Sequence, residues 1–191
     1  MIHVALVRAI NVGGHNKVGM ADLRGVLTEL GFGDVRSLLQ SGNLVFDTRA
    51  RRGDRLESML EKAAQTTLGL DARFFVRSAR EWKAIIARNP FQREAQRDPK
   101  QLAVVFLKRV PDRKSVQDLR RWIPGRETIE VKGREAYIVY PDGMGRSRLT
   151  NAVIEKRLET RSTGRSWNTV LKLGALAGGL RRSSCSSRYW Q

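Results

Sequence analysis

Ten consecutive residues, Asn11-Val12-Gly13-Gly14-His15-Asn16-Lys17-Val18-Gly19-Met20, lie between an apolar run over 4–10 and an amphipathic segment over 21–30. Their types suit the holding of an anion. Glycines let backbone N–H groups approach a ligand with no Cβ in the way, and the start of the helix expected behind them carries partial positive charge. Lys17 adds an ammonium, and Asn11 and Asn16 add amides. The spacing matches neither G-x-G-x-x-G nor G-x-x-x-x-G-K-[ST], so neither a dinucleotide fingerprint nor an NTPase phosphate loop is implied.

Three further polar clusters accompany it. Gln40-Ser41-Gly42-Asn43 reads as a hairpin turn. In a βαββαβ unit the loop after the first strand lies beside the turn joining the second and third, so Arg8 and residues 11–17 are expected next to Gln40, Ser41 and Asn43. The plain alternative is a turn that uses Gly and Asn for left-handed backbone. Asp142-Gly143-Met144-Gly145-Arg146-Ser147-Arg148-Leu149-Thr150-Asn151 puts a second glycine loop before a helix, with Arg146 and Arg148 flanking Ser147, read as its N-cap. Cations there oppose the helix dipole and call for an anion or for the Asp142 carboxylate. In Arg165-Ser166-Trp167-Asn168-Thr169, Ser166 or Asn168 caps a last helix and Trp167 is expected to pack into core. The candidate ligand-binding set is therefore Arg8, Asn11, Gly13, Gly14, Asn16, Lys17, Gln40, Ser41, Asn43, Arg146, Ser147, Arg148 and Asn168. No residue is assigned to catalysis. His15 is the one candidate base near the first loop.

The elements that must carry these residues follow from periodicity. Strand 3–8, helix 21–30, strands 35–39 and 44–47, helix 54–68 and strand 72–76 give the order βαββαβ. Leu23, Val26, Leu27 and Leu30 recur at helical spacing, as do Leu56, Met59, Leu60 and Ala63, so each helix has one stripe to lay on a sheet. The second half repeats the order with strand 102–107, helix 113–122, strands 128–131 and 136–140, helix 149–158 and a short strand over 160–163. Gly133 is the hairpin glycine there, and a last helix over 168–177 ends at Gly178-Gly179. The expected fold is α+β, a tandem duplication of two ferredoxin-like βαββαβ subdomains over 1–78 and 101–177. Between them, 79–100 reads as a connecting helix anchored by Trp82, Ile85 and Ile86 and then a polar linker, and 178–191 as a basic, disordered tail.

Composition narrows the function. Cys185 is the single cysteine and His3 and His15 the two histidines, which removes disulfides, zinc constellations and most cysteine-nucleophile schemes; no metal and no cofactor is expected. There is no run of 18 apolar residues, so a cytoplasmic protein with no membrane partner is expected. The formal net charge is +17, from 36 Lys+Arg against 19 Asp+Glu, and favours nucleic acid or a phosphorylated metabolite as partner. Only nine of these cations are Lys, a skew towards Arg that a GC-rich genome also produces.

Residues 7–18, 39–46, 140–151 and 167–169 together closely resemble the domain of unknown function (DUF) family 1697, over about 4–177. The resemblance implies a bacterial α+β protein of two similar subdomains and brings no established reaction with it. Ala9 stands where the family usually has Gly, and Arg148 where it usually has Lys, which keeps charge but changes hydrogen-bond geometry. Residues 178–191 extend beyond the family pattern. Three functions stay open. The first is binding of a phosphate-bearing small molecule by Lys17, Arg146, Arg148 and the two glycine loops. The second is non-specific nucleic-acid binding through the basic surface and tail, against which stands the scarcity of stacking aromatics on the central strands, which offer one Phe and one His. The third is a structural or partner-binding role without a ligand.

Overall fold

The strand β1 (Ile2–Arg8) is apolar at every position except His3 and Arg8, as expected of a strand with neighbours on both sides. In the computed structural model, which describes residues 1–8, 18–49 and 53–179, β1 pairs antiparallel with β3 (Asn43–Asp47) and β4 (Arg73–Ser78). Ala5 stands opposite Leu44 on one side and Val76 on the other. β2 (Gly33–Ser37) joins outside β3, giving the order β2-β3-β1-β4. Helices α1 (Met20–Glu29) and α2 (Gly53–Leu68) lay Leu23, Leu27, Leu56 and Leu60 on Ala5, Leu44, Phe46 and Phe74 to make one core. In the β2–β3 turn, Gly42 takes φ +70°, a conformation open to glycine at no steric cost.

β4 lies at the rim of this sheet, and α2 closes that rim. Phe74 N donates to Glu61 Oε1 at 3.0 Å, and Val76 N donates to Glu57 Oε1 at 2.8 Å. Four helical residues rise about 6 Å and two strand residues about 6.6 Å, so one helix face can meet alternate strand amides. Glu57 is buried and pairs with the buried Arg77 at 3.6 Å, whose Nη1 also donates to Val76 O at 2.9 Å.

The chain divides into two units, Met1–Ala79 with the chain from Ala175 onward, and Arg80–Gly174. In the second, β5 (Leu102–Leu107), β6 (Thr128–Lys132), β7 (Glu135–Val139) and β8 (Ser162–Ser166) form an antiparallel sheet of order β6-β7-β5-β8. Helices α5 (Arg113–Trp122) and α6 (Asn151–Leu158) pack Leu119, Ile154 and Leu158 on Ala103, Val105, Leu107 and Ile138. The rim strand β8 is again met by a helix carboxylate, Ser162 N donating to Glu155 Oε1 at 2.7 Å. Helix α3 (Ala79–Ala87) lies against the opposite face of the sheet, its Trp82 stacked on Phe106 with ring centroids 5.0 Å apart. Trp82 Nε1 donates to Val170 O of α7 (Trp167–Gly179) at 2.9 Å, and Tyr137 OH to Ile85 O at 2.7 Å. Among the described residues the architecture is thus two four-stranded antiparallel sheets with seven α-helices, a mixed α and β fold.

The structure differs from expectation in several places. Residues 89–100, expected as a polar linker, contain α4 (Gln92–Arg97). Asn89 starts it by accepting from Phe91 N at 2.9 Å, and six residues without an apolar stripe give no periodicity to read. The helix expected over 149–158 begins at Asn151, and the strand expected over 160–163 runs Ser162–Ser166. The tail from residue 180 lies outside the described residues.

Two outcomes follow from this packing. Glu57→Ala leaves Arg77 buried without its carboxylate and is expected to cost about 3–5 kcal/mol in urea unfolding, against about 1 kcal/mol for the half-buried Glu61→Ala. Burial, then the charge of Glu135, pushes the Tyr137 phenol up to about 12 against a partial offset from Arg88, and burial with Glu127 pushes Tyr140 up as well. A phenol raised by folding contributes stability below its unfolded value and loses it as pH rises through the native one. Stability is therefore expected to fall between pH 10 and about 12, and the fall to flatten in a Tyr137→Phe/Tyr140→Phe variant, followed by unfolding together with absorbance of ionised phenol.

Candidate functional site

Arg8 closes β1 and is half-buried. Its register partner on β4 is Arg73, so two guanidinium-bearing residues stand directly opposite each other at one end of the first sheet. Like charges so placed repel. Arg73 is held by Asp71 at 3.2 Å and more loosely by Glu61 at 3.9 Å.

The β2–β3 turn comes to this same end. Val7 N donates to Gly42 O at 2.7 Å, and Leu6 pairs with Asn43. Asn43 is buried and builds the turn: its Nδ2 donates to Leu38 O at 3.0 Å and to Ser41 Oγ at 2.9 Å. Gln40 and Ser41 are exposed at the tip. Between them and Leu38, Leu39 sits at φ +60° with its side chain 56% exposed, a left-handed conformation that costs a leucine about 1–2 kcal/mol. Arg8, Gln40, Ser41 and Asn43 are thus brought together. Asn11, Gly13, Gly14, Asn16 and Lys17, and His15 with them, lie outside the described residues.

In the second unit the glycine loop after β7 forms a 3-10 turn, Met144–Arg146, and Ser147 ends that turn. Ser147 does not cap α6. Thr150 does, accepting from Val153 N at 3.4 Å, because the chain spends residues 147–150 turning before the helix can start. Ser147 Oγ instead donates to Glu127 Oε1 and accepts from Leu149 N at 2.9 Å, pinning the loop to the residues before β6. Nor does Asp142 serve Arg146 or Arg148 directly. Its carboxylate is bonded by Arg126, which holds it below its ordinary value, with Arg146 adding a weaker attraction. Arg146 and Arg148 are exposed and have no ion pair among the described residues.

Asn168 lies in the first turn of α7, whose capping hydroxyl is Ser166, accepting from Thr169 N at 3.4 Å. Trp167 is buried, as a core residue should be. Ser166 pairs with Ala103 and Tyr140 N donates to Gln101 O at 2.7 Å, so Asn168 and the loop of Arg146 to Arg148 leave the second sheet at the same end, on either side of the start of β5. Next to Ser166, Arg165 is held by Thr163 Oγ1 and Gly164 O, both at 2.8 Å, and burial pushes its guanidinium down to about 10.

One concavity had no counterpart in the sequence reading. A groove of about 670 Å³ between α5 and α6 is lined by Lys114, Asp118, Trp122, Lys156 and Arg157 among others. The Arg157 guanidinium carbon lies 4.3 Å from the Trp122 ring centroid. The two residues are 35 positions apart, and no spacing rule joins them.

These features define an α+β protein of two similarly ordered sheets, with polar loops gathered at a sheet end in each unit. The chain belongs to a family of proteins of unknown function, DUF1697, matched over residues 1–137. That match takes in the first two clusters, while residues 140–151 and 167–169 fall beyond it. The solved structure of the conserved bacterial protein SP0830 from Streptococcus pneumoniae is similar, with a TM-score of 0.71 and 25% identity, over 92% of this chain and 98% of that one. No curated protein matches the chain. Among the described residues no helix is long and apolar enough to cross a membrane.

The geometry separates two kinds of residue in the second loop. Ser147→Ala, which frees a partly buried Glu127, is expected to cost about 1–3 kcal/mol in urea unfolding. Arg146→Ala and Arg148→Ala, exposed and without ion pairs, should stay within about 0.5 kcal/mol.

Proposed function

We propose that the protein binds a phosphate-bearing small molecule at the end of the first sheet where β1 runs out. The observation that carries this reading is Arg8 opposite Arg73 and beside the Gln40–Ser41 tip. An anion at this end accepts charge-assisted hydrogen bonds from Arg8 and meets the Ser41 hydroxyl. Residues 11–17, which start three positions after Arg8 in the sequence, carry the glycines, the Asn11 and Asn16 amides and the Lys17 ammonium that this reading assigns to the anion. The left-handed Leu39 at the same tip supports the reading, because backbone strain of this kind gathers at ligand sites.

Within this proposal the units are ferredoxin-like and the pair is a tandem duplication. Supporting it are the matching strand orders, the hairpin glycines Gly42 and Gly133 at φ +70° and +66°, and the helix glutamates at both rims. Arg146, Ser147, Arg148 and Asn168 form the second unit's own anion-facing set. The reading takes the protein as a cytoplasmic one of bacterial type.

Thermal shift with inorganic phosphate, pyrophosphate and ribose 5-phosphate tests it, since a ligand of the native state raises stability by mass action. Lys17→Ala and Arg8→Ala are each expected to weaken binding by about 1.5–3 kcal/mol, with little change in the melting temperature of free Lys17→Ala. If none of the three anions raises the melting temperature, the reading fails.

A further inference from the structure

The positive charge is not spread evenly. Residues 80–174 carry 22 Lys and Arg against 11 Asp and Glu, whereas residues 1–79 carry 11 against 8. A genome-wide drift towards arginine acts on both stretches alike and does not produce this difference.

Part of the excess is organised on one face of the second unit. The connection from β5 to α5 and the connection from α6 to β8 are tied by Lys108 N to Arg161 O at 3.0 Å, Arg109 N to Thr160 Oγ1 at 3.1 Å and Arg109 Nη2 to Glu159 O at 2.8 Å. Beside them, Lys114, Lys156 and Arg157 line the groove between α5 and α6. Most acids of this face are already engaged. Asp112 caps α5 by accepting from Ser115 N at 2.8 Å, Asp118 lies 3.6 Å from Arg121, and Glu155 takes Ser162 N at 2.7 Å and Arg161 at 3.5 Å; Glu159 is exposed. Arg113, Lys114 and Lys156 are exposed and have no ion pair among the described residues.

We infer that the α5–α6 face binds the phosphate backbone of nucleic acid without regard to sequence, independently of the small-molecule site proposed above. Arg157 covers the Trp122 ring, so the groove, where Lys114, Lys156 and Arg157 are matched by Asp112, Asp118 and Glu159, offers no free aromatic for a base, and the excess of cations lies around it, on residues such as the exposed Arg109 and Arg113. The contact is then to phosphates, on a duplex as on a single strand. A lipid surface fits less well. Val110, 66% exposed, is the large apolar side chain that this face presents among the described residues, too little to hold a protein on a bilayer.

The test uses the full chain and a fluorescent DNA duplex of about 20 base pairs, titrated between about 50 and 200 mM salt. One variant carries Arg113→Glu, Lys114→Glu and Lys156→Glu. A second carries Arg93→Glu, Arg97→Glu and Lys100→Glu, exposed cations on and just after α4, and removes the same charge from elsewhere in the unit. The first is expected to lose at least about tenfold in affinity at the lower salt and to flatten the salt dependence by about 2–3 logarithmic units per decade, the second to lose less than about threefold. Should the triple reversal fail to fold by circular dichroism, Lys114→Ala with Lys156→Ala replaces it, with a flattening of about 2 expected. Equal losses in both variants overturn the inference, because net charge or the C-terminal arginines would then carry the binding. So does a wild type that binds phosphatidylglycerol vesicles and not the duplex, or that binds neither.

Discussion

A strand at the rim of a sheet turns alternate N–H groups away from its neighbour, and each must find an acceptor or be left to water or to another chain. Both units answer with glutamates from the helix that precedes the rim strand in sequence. Glu57 and Glu61 of α2 take Val76 and Phe74, and Glu155 of α6 takes Ser162. The requirement fixes much else. α2 reaches the rim with its carboxylates while laying Leu56 and Leu60 on the face, and the two sets of contacts together constrain its position and rotation. β1 lies between β3 and β4, and its last residue, Arg8, stands at the sheet end where the β2–β3 turn arrives.

Side chains at the loop ends divide by the same logic of satisfied and unsatisfied groups. Asn43, Ser147, Thr150 and Ser166 direct their polar atoms to backbone or to a neighbouring carboxylate and hold the loops in shape. Arg146 and Arg148 reach into solvent from a loop that other residues have fixed, as Gln40 and Ser41 do from theirs. Rigid support beneath exposed donors is what a binding site needs, since ordering a loop at the moment of binding costs affinity.

How far this was legible in the chain depended on periodicity. β5 and α5 were readable to the residue, because unbroken apolar runs and a clean helical stripe leave little choice. The arrival of the 40–43 turn at the end of β1 was readable too, as a consequence of strand order. What was not readable rests on contacts distant in sequence. Ser147 and Thr150 are both good caps by type, and only the 3-10 turn at Met144–Arg146 decides between them. Glu57 looks like any charged helix residue until β4 is in place, nineteen positions later. The Trp122–Arg157 stack and its groove exist only once α5 and α6 lie side by side.

Because Glu57 and Glu61 belong to the helix that also covers the face, docking α2 and sealing β4 are one event. At the β4 rim a folding chain therefore has no stage in which α2 is docked but the strand's outward amides are still open, and that edge can recruit a strand from another molecule only while α2 stays undocked. At this rim, protection against misassembly thus arrives with the docking of a single helix, in addition to the Arg73 charge that the strand itself carries.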